Sequence, residues 1–221
     1  MERSLRILMV DSEETWRGGE AQLELLMKGL IGTGHHVSLA SPPGSAIAAR
    51  AKSLGVRTFD VPIASSLDAK AAWKLRRLFF DGTFHIVHSH SSHAHGVTVL
   101  ACVGLPARPV HVVSRRVDFR VSRNPMSAWK YKRGADIYLA ISNGVRDVLI
   151  DCGVDPGKIR LVPSGVDLDK FARLKHAGYV REEFSLGEAT WIVGNVAALA
   201  PHKAQEDLID AAALVSEAVQ G

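Results

Sequence analysis

Five histidines, His85, His88, His90, His93 and His95, fall within eleven positions of the stretch HIVHSHSSHAHG (85–96). Imidazoles at that density can ligate a metal, move a proton or exchange hydrogen bonds with a hydroxyl. A resident metal needs three or four ligands converging on one point, commonly with carboxylate or thiolate help. No Asp or Glu lies between 82 and 117, and Cys102 and Cys152 stand at no metal spacing, so the sequence assigns no metal ligands. Strand alternation puts His88 and His90 on one side of the chain, with His90 nearest the strand end. His93 and His95 then fall in the turn or the first helical turn that follows. A helix N-terminus disfavours imidazolium there, which leaves a neutral ring suited to a hydroxyl partner.

Two further clusters carry chemistry. In DSEETWRGGEAQ (11–22), the pair Gly18-Gly19 stands at a helix start. Lacking Cβ atoms, the pair lets a phosphate or sugar approach the backbone; the alternative is a loop that needs positive φ. The spacing is not GxGxxG, which argues against a dinucleotide fold. In SRRVDFRVSRNPMSAWKYKR (114–133), Arg115, Arg116, Arg120, Arg123, Lys130, Lys132 and Arg133 are interrupted by a single acid, Asp118, and interleaved with Phe119, Trp129 and Tyr131. Nucleic acid, an anionic glycan, a lipid phosphate, a membrane surface or plain solvent could face such a segment. The net charge of +4 is mild, and most helices keep balanced charge, which disfavours nucleic acid.

These clusters must be positioned by alternating strands and helices. Short apolar runs at LRILMV (5–10), HVSLAS (36–41), VRTFDVP (56–62), FHIVHSH (84–90), PVHVVS (109–114), DIYLAIS (136–142) and KIRLVPSGV (158–166) read as strands. Between them lie helical patterns. In the first, Leu23, Leu26, Met27, Leu30 and Ile31 form one face while Glu20, Glu24 and Lys28 take the other. In the third, Leu67, Ala71, Leu75, Leu78 and Phe79 form the apolar face. Repeated βαβ units predict an α/β protein: a Rossmann-like, doubly wound parallel sheet with helices on both faces. Ligands in such sheets bind beyond the C-terminal strand ends, where all three clusters fall. Residues 1–163 are expected to form this domain and 164–189 a linker with short helical turns. Residues 190–221 are expected to supply one strand and one helix of a second domain, too little to bury a core. No apolar run approaches the ~18 residues that span a bilayer. The start MERSLRILMV reads as a first strand, not a signal peptide, and the sparse cysteines imply a reducing, cytoplasmic setting.

The segments RGGEAQ, HIVHSH, IYLAISNGVRDVLIDCGV, KIRLVPSGVDLDKF and IVGNVAALAPHKAQEDLIDAAALV follow one another in an order that resembles glycosyltransferase family 4, with its GT-B fold. The segment SRRVDF…NPMSAWKY further resembles members that build lipopolysaccharide and other cell-surface glycans. The resemblance implies the acceptor-side, N-terminal half of a retaining hexosyl- or related transferase, plus the start of its donor-side domain. It implies a UDP- or GDP-linked sugar as donor, a glycan or lipid-linked acceptor, no metal or other cofactor, and peripheral contact with the anionic inner membrane face. Gly18 and Gly19 would approach the donor diphosphate, and His90 the transferred sugar. Lys203 matches one of a basic pair that neutralises the leaving group. Asn195 stands where the other is usually arginine, leaving that phosphate contact open. Arg115, Arg116, Arg120, Arg123 and Lys130 are expected to hold the acceptor or another anion. The family's E-x7-E segment lies beyond Gly221, so these 221 residues are expected not to transfer sugar at a useful rate on their own. A nucleotide-sugar 2-epimerase of the same fold and a non-catalytic module for an anionic glycan or lipid are the alternatives.

Overall fold

Seven short strands run parallel in one sheet of order β3-β2-β1-β4-β5-β6-β7. The structure, a computed structural model, describes residues 4–80, 84–117, 125–172 and 178–219. The strands are β1 (Arg6–Val10), β2 (His36–Ser41), β3 (Arg57–Asp60), β4 (Ile86–Ser89), β5 (Val110–Arg115), β6 (Ile137–Ala140) and β7 (Ile159–Leu161). The connecting helices are α1 (Gly18–Gly32), α2 (Ala46–Ser53), α3 (Ala69–Phe80), α4 (Ser92–Cys102), α5 (Pro125–Arg133) and α6 (Asn143–Asp151). The sequence expectation of a doubly wound parallel α/β sheet holds.

Burial on both faces explains why the strands read as nearly unbroken apolar runs. Leu8 and Val10 of β1 face a core built with Ala71, Leu75 and Phe79 of α3 and with Ala94 and Val97 of α4. Their alternate neighbours Ile7 and Met9 face the opposite core, with Leu23 and Met27 of α1 and Ile47 of α2. A third cluster joins Val113, Tyr138 and Ala140 to Val145 and Leu149 of α6. Local chemistry sets the helix starts. Ser45 Oγ accepts from the Ala48 amide at 3.4 Å, and Ser142 Oγ from the Val145 amide at 3.2 Å.

Strand order reverses between β1 and β4, from which the chain winds outward in opposite directions. Such a reversal leaves a crevice at the C-terminal strand ends, because the two connections depart to different sides. The pairing Val10↔Ser89 ends both strands level, and the His90 amide donates to the Val10 carbonyl at 2.9 Å.

The chain divides into two compact units, Met1–Asp167 and Leu168–Gly221. The second contains α7 (Leu168–Ala172), α8 (Tyr179–Glu183) and α9 (Gln205–Val219). The strand expected in its TWIVGNV segment does not form. Residues 191–198 take no regular structure, and Trp191 and Val196 stand exposed. A strand exists only where a neighbour takes up its N–H and C=O groups, and none of the described residues does so here.

Other expectations shift locally. β7 stops at Leu161, short of the expected 158–166. Half of the basic segment is the helix α5, whose Tyr131 is buried in the third core cluster instead of facing a partner. Leu67 lies before α3 and is 53% exposed instead of joining its apolar face. Leu8 is fully buried in the strand that serves both cores, so Leu8→Ala is expected to lower stability by about 3 kcal/mol. Urea unfolding monitored by circular dichroism checks this.

Candidate functional site

The loops after β1 and β4 are tied together at the crevice. The Ser12 amide donates to Ser91 Oγ at 3.1 Å, and the two hydroxyls lie 2.7 Å apart. Above this join opens a cleft of about 690 Å³. α1 contributes Gly18, Gly19 and Glu20 to its wall, the β4–α4 turn contributes His90 and Ser92, and the end of β5 contributes Arg115 and Arg116. All three clusters singled out in the sequence therefore meet on one rim.

Neither Gly18 nor Gly19 takes a positive φ, and a Cβ on either would meet nothing within 4 Å. The fold itself thus gives no reason for glycine at these positions. Two glycines in the first turn of a helix forgo stability that alanine would supply, about 1 kcal/mol each in a helix interior.

His90 is held in a defined tautomer. Arg116 Nη2 donates to its Nδ1 at 3.1 Å, which leaves the proton on Nε2, facing the Met9 sulfur at 3.3 Å. Its ring lies 4.1 Å from that of His88, whose Nε2 bonds the Ser114 hydroxyl at 2.9 Å. Burial, reinforced by His88 and then by Arg116, keeps His90 neutral well below the usual histidine range. Neutrality was anticipated for histidines near the α4 N-terminus; for His90 its main cause is burial.

Arg116 is the electrostatic centre. Burial pulls its pKa down, while Asp11 and Glu20 oppose that shift. Asp11, only 1% exposed, is pushed up to about 6 by burial and then by the nearby Glu20. Glu20 corrects the helical-face reading: it is buried at the cleft, where it accepts from the Arg17 amide at 2.7 Å, instead of facing solvent. A helical wheel cannot see this, because the first turn of α1 points across the crevice and not away from the sheet. Arg116 Nη1 is buried without a hydrogen-bond partner among the described residues.

The remaining candidates separate. Arg115 is buried, and its Nη1 donates to the Tyr131 hydroxyl at 2.6 Å. Lys130 Nζ donates to the carbonyl and hydroxyl of Ser92, both at 3.4 Å, and lines an adjoining groove. Asn195 is exposed in the irregular 191–198 stretch and Lys203 ends the 3-10 turn Pro201–Lys203, both in the second unit. Arg120, Arg123 and Asp118 lie outside the described residues. His85 accepts from the Arg6 amide at 2.9 Å, and His93 Nδ1 lies 3.1 Å from Ser66 Oγ, so both serve local structure. His95 lines the cleft, packed edge-on against Tyr131 and Tyr138. Among the described residues no three His, Cys, Asp or Glu side chains group to hold a metal. Sequence reasoning missed Ser91, since a small hydroxyl does not announce its neighbours.

A parallel α/β sheet with a cleft at its strand-order reversal has the architecture in which ligands bind beyond the C-terminal strand ends. The chain belongs to glycosyltransferase family 4, whose model matches residues 16–170. Its fold is that of GT-B glycosyltransferases. It is similar to Anabaena HepE, solved in complex with UDP, with a TM-score of 0.75 and 18% identity over 95% of this chain and 58% of HepE. HepE has also been solved in complex with UDP-glucose. A glycosyltransferase from Rickettsia africae superposes with a TM-score of 0.67 at 17% identity, over 86% of this chain and 52% of that one. The lipopolysaccharide outer core galactosyltransferase WaaB, in its apo form, gives 0.59 at 12% identity, over 74% and 46% of the two chains. The chain therefore spans about half the length of these structures. No curated protein matches its sequence.

Three buried histidines and the half-buried His90 make the fold acid-sensitive. His88 is lowered to about 3 and His111 to about 4, and His90 and His95 are also lowered, in every case mainly by burial. The unfolded chain takes up these protons near pH 6.5, while the folded one does not. Stability is therefore intact above that pH and lost below it, at about 1.4 kcal/mol per pH unit per group. Urea midpoints are expected to fall steeply from pH 7 to pH 5, and His111→Gln is expected to lower the linked proton uptake by about one.

Proposed function

We propose that this chain is the acceptor-side half of a glycosyltransferase that moves a hexosyl or related sugar from a nucleotide sugar to a glycan or lipid-linked acceptor, with retention and without a metal. The observation that carries the reading is the convergence of bare Gly18-Gly19, neutral His90 and Arg116 on one cleft. The first-turn amides of α1 lie open to an anion at the positive end of the helix. UDP is the favoured nucleotide, in keeping with the UDP and UDP-glucose complexes of HepE.

Each group has a part in this chemistry. The glycine turn takes the diphosphate close to backbone. His90, neutral and fixed by Arg116, orients a sugar hydroxyl. Arg116 offsets charge at the cleft as the diphosphate leaves, and electrostatic stabilisation of that kind dominates such transfers. In the second unit, Lys203 is the basic residue that the family resemblance assigns to a phosphate, and Asn195, being uncharged, adds no charge of its own. The charges of Asp11 and Glu20 offset that of the half-buried Arg116, so neither is given a covalent role; front-face attack with the leaving phosphate as base is the mechanism we favour. We place the protein in the cytoplasm, peripheral to the inner membrane face. Two free thiols and a basic edge support that placement. Among the described residues no helix is long and apolar enough to cross a membrane.

A titration of the labelled chain with UDP and UDP-glucose tests the reading. The amides of Gly18 and Gly19 and the ring of His90 are expected to shift. Gly19→Val is expected to weaken UDP binding about ten-fold or more while leaving urea stability unchanged or improved, because its side chain enters open space. UDP shifts that bypass Gly18 and Gly19 would overturn the donor assignment.

A further inference from the structure

Lys130 lines one groove, and its Nζ reaches Ser92, which lines the cleft. On one side lies the cleft, whose walls carry the ionisable side chains of Glu20, His90, Arg115 and Arg116. On the other is a groove of about 420 Å³ whose walls include Leu67, Gly96, Val99, Leu100 and Trp129. Leu67 is 53% and Trp129 43% exposed, so the groove mouth is apolar and open. Its floor is held rigidly. A Cβ at Gly96 would meet Ser66 at 2.6 Å, and Ser66 Oγ reaches the Ser92 carbonyl at 3.4 Å and His93 Nδ1 at 3.1 Å.

Lys130 is half-buried, and its Nζ rests on neutral oxygens of Ser92 and lies 5.1 Å from the centre of the Tyr131 ring. Among the described residues no carboxylate pairs with it. Burial and then the like charge of Arg115 push its pKa down to about 8. Beside it starts α4, an eleven-residue helix whose first internal bond runs from the His95 amide to the Ser91 carbonyl. The amides of Ser92 and His93 therefore precede the helical ladder and face the positive end of its dipole. One turn along, His95 is 1% exposed and lines the cleft, and its Nε2 has no hydrogen-bond partner among the described residues. Its other link is to the Lys130 backbone. A neutral imidazole nitrogen left with a lone pair takes a hydroxyl donor. The elements thus present, in order, an apolar trough, a cationic helix start and a hydroxyl acceptor.

We propose that Lys130, Ser92 and the first turn of α4 seat a phosphate carried by an amphiphilic acceptor, whose apolar chain lies in the groove and whose hydroxyls enter the cleft at His95 and His90. This deepens the sugar-transfer reading and rests on it. It narrows the acceptor to a lipid phosphate and puts its site apart from the glycine turn that takes the donor.

Geranyl phosphate, geraniol and inorganic phosphate, titrated separately into the full chain, test the assignment. Geranyl phosphate is expected to bind about ten-fold tighter than either half-molecule, since it joins a charged contact to apolar burial. Amide shifts should centre on Ser92, His93 and Ala94, with a change in Trp129 fluorescence. Lys130→Met is expected to weaken both phosphates about ten-fold, and Trp129→Ala geranyl phosphate alone. Equal binding of geraniol and geranyl phosphate would remove the phosphate seat. Equal binding of geranyl phosphate and inorganic phosphate would remove the groove. Shifts confined to Gly18 and Gly19, or an unchanged Lys130→Met, would overturn the site altogether. UDP binding at the glycine turn is measured alongside, so that loss of the lipid-phosphate site leaves the donor reading standing, and a failed UDP titration is recognised as a failure of that reading.

Discussion

The arrangement depends on a single reversal of strand order. In a wholly parallel sheet every connection must cross back over a face, and consecutive crossings pack side by side until the direction of winding changes. Here that change falls between β1 and β4. The loops that follow those strands diverge, and the space between them cannot be filled by either helix layer. A serine pair and one backbone bond from His90 to Val10 tie the loop bases together. Glycine, histidine and arginine from distant parts of the chain meet because the sheet leaves them nowhere else to go.

What gathers there is electrostatically expensive. Burying a guanidinium disfavours its charged form, and burying two carboxylates beside it limits that cost. Asp11 and Glu20 supply this offset to Arg116, and the histidines escape the cost by staying neutral. Arg116 in turn fixes the tautomer of His90. The result is a cleft with cationic donors and neutral imidazole acceptors side by side, a combination suited to ligands that carry both phosphates and hydroxyls.

A second boundary runs through Lys130. The helix α5 that bears it also carries Tyr131 into the core and Trp129 onto the surface. One short helix therefore anchors itself, lines a groove and sets a cation beside the start of α4. The positions follow from helical geometry: successive residues project about 100° apart, so neighbours serve three surroundings.

The periodicity of the chain was enough to reveal seven strands, their helices and the parallel, doubly wound sheet, because burial on two faces leaves a strong mark on composition. It also located the rim, since Gly18-Gly19 open the helix after the first strand, His90 follows β4, and Arg115 and Arg116 end and follow β5. The segment 191–198 shows where such reasoning ends: its apolar residues read as a strand, but a strand is a relation between neighbours and not a property of seven residues. The solvent-face reading of Glu20 failed for a related reason, as the helical wheel knows only the axis and not which side of the crevice the first turn overlooks. Likewise no pattern could show that Arg116 meets His90 twenty-six positions away, or that Lys130 reaches from an apolar groove to a residue of the cleft. Those contacts arise only when the sheet closes, because their energies depend on distance and burial and neither is written in the order of residues.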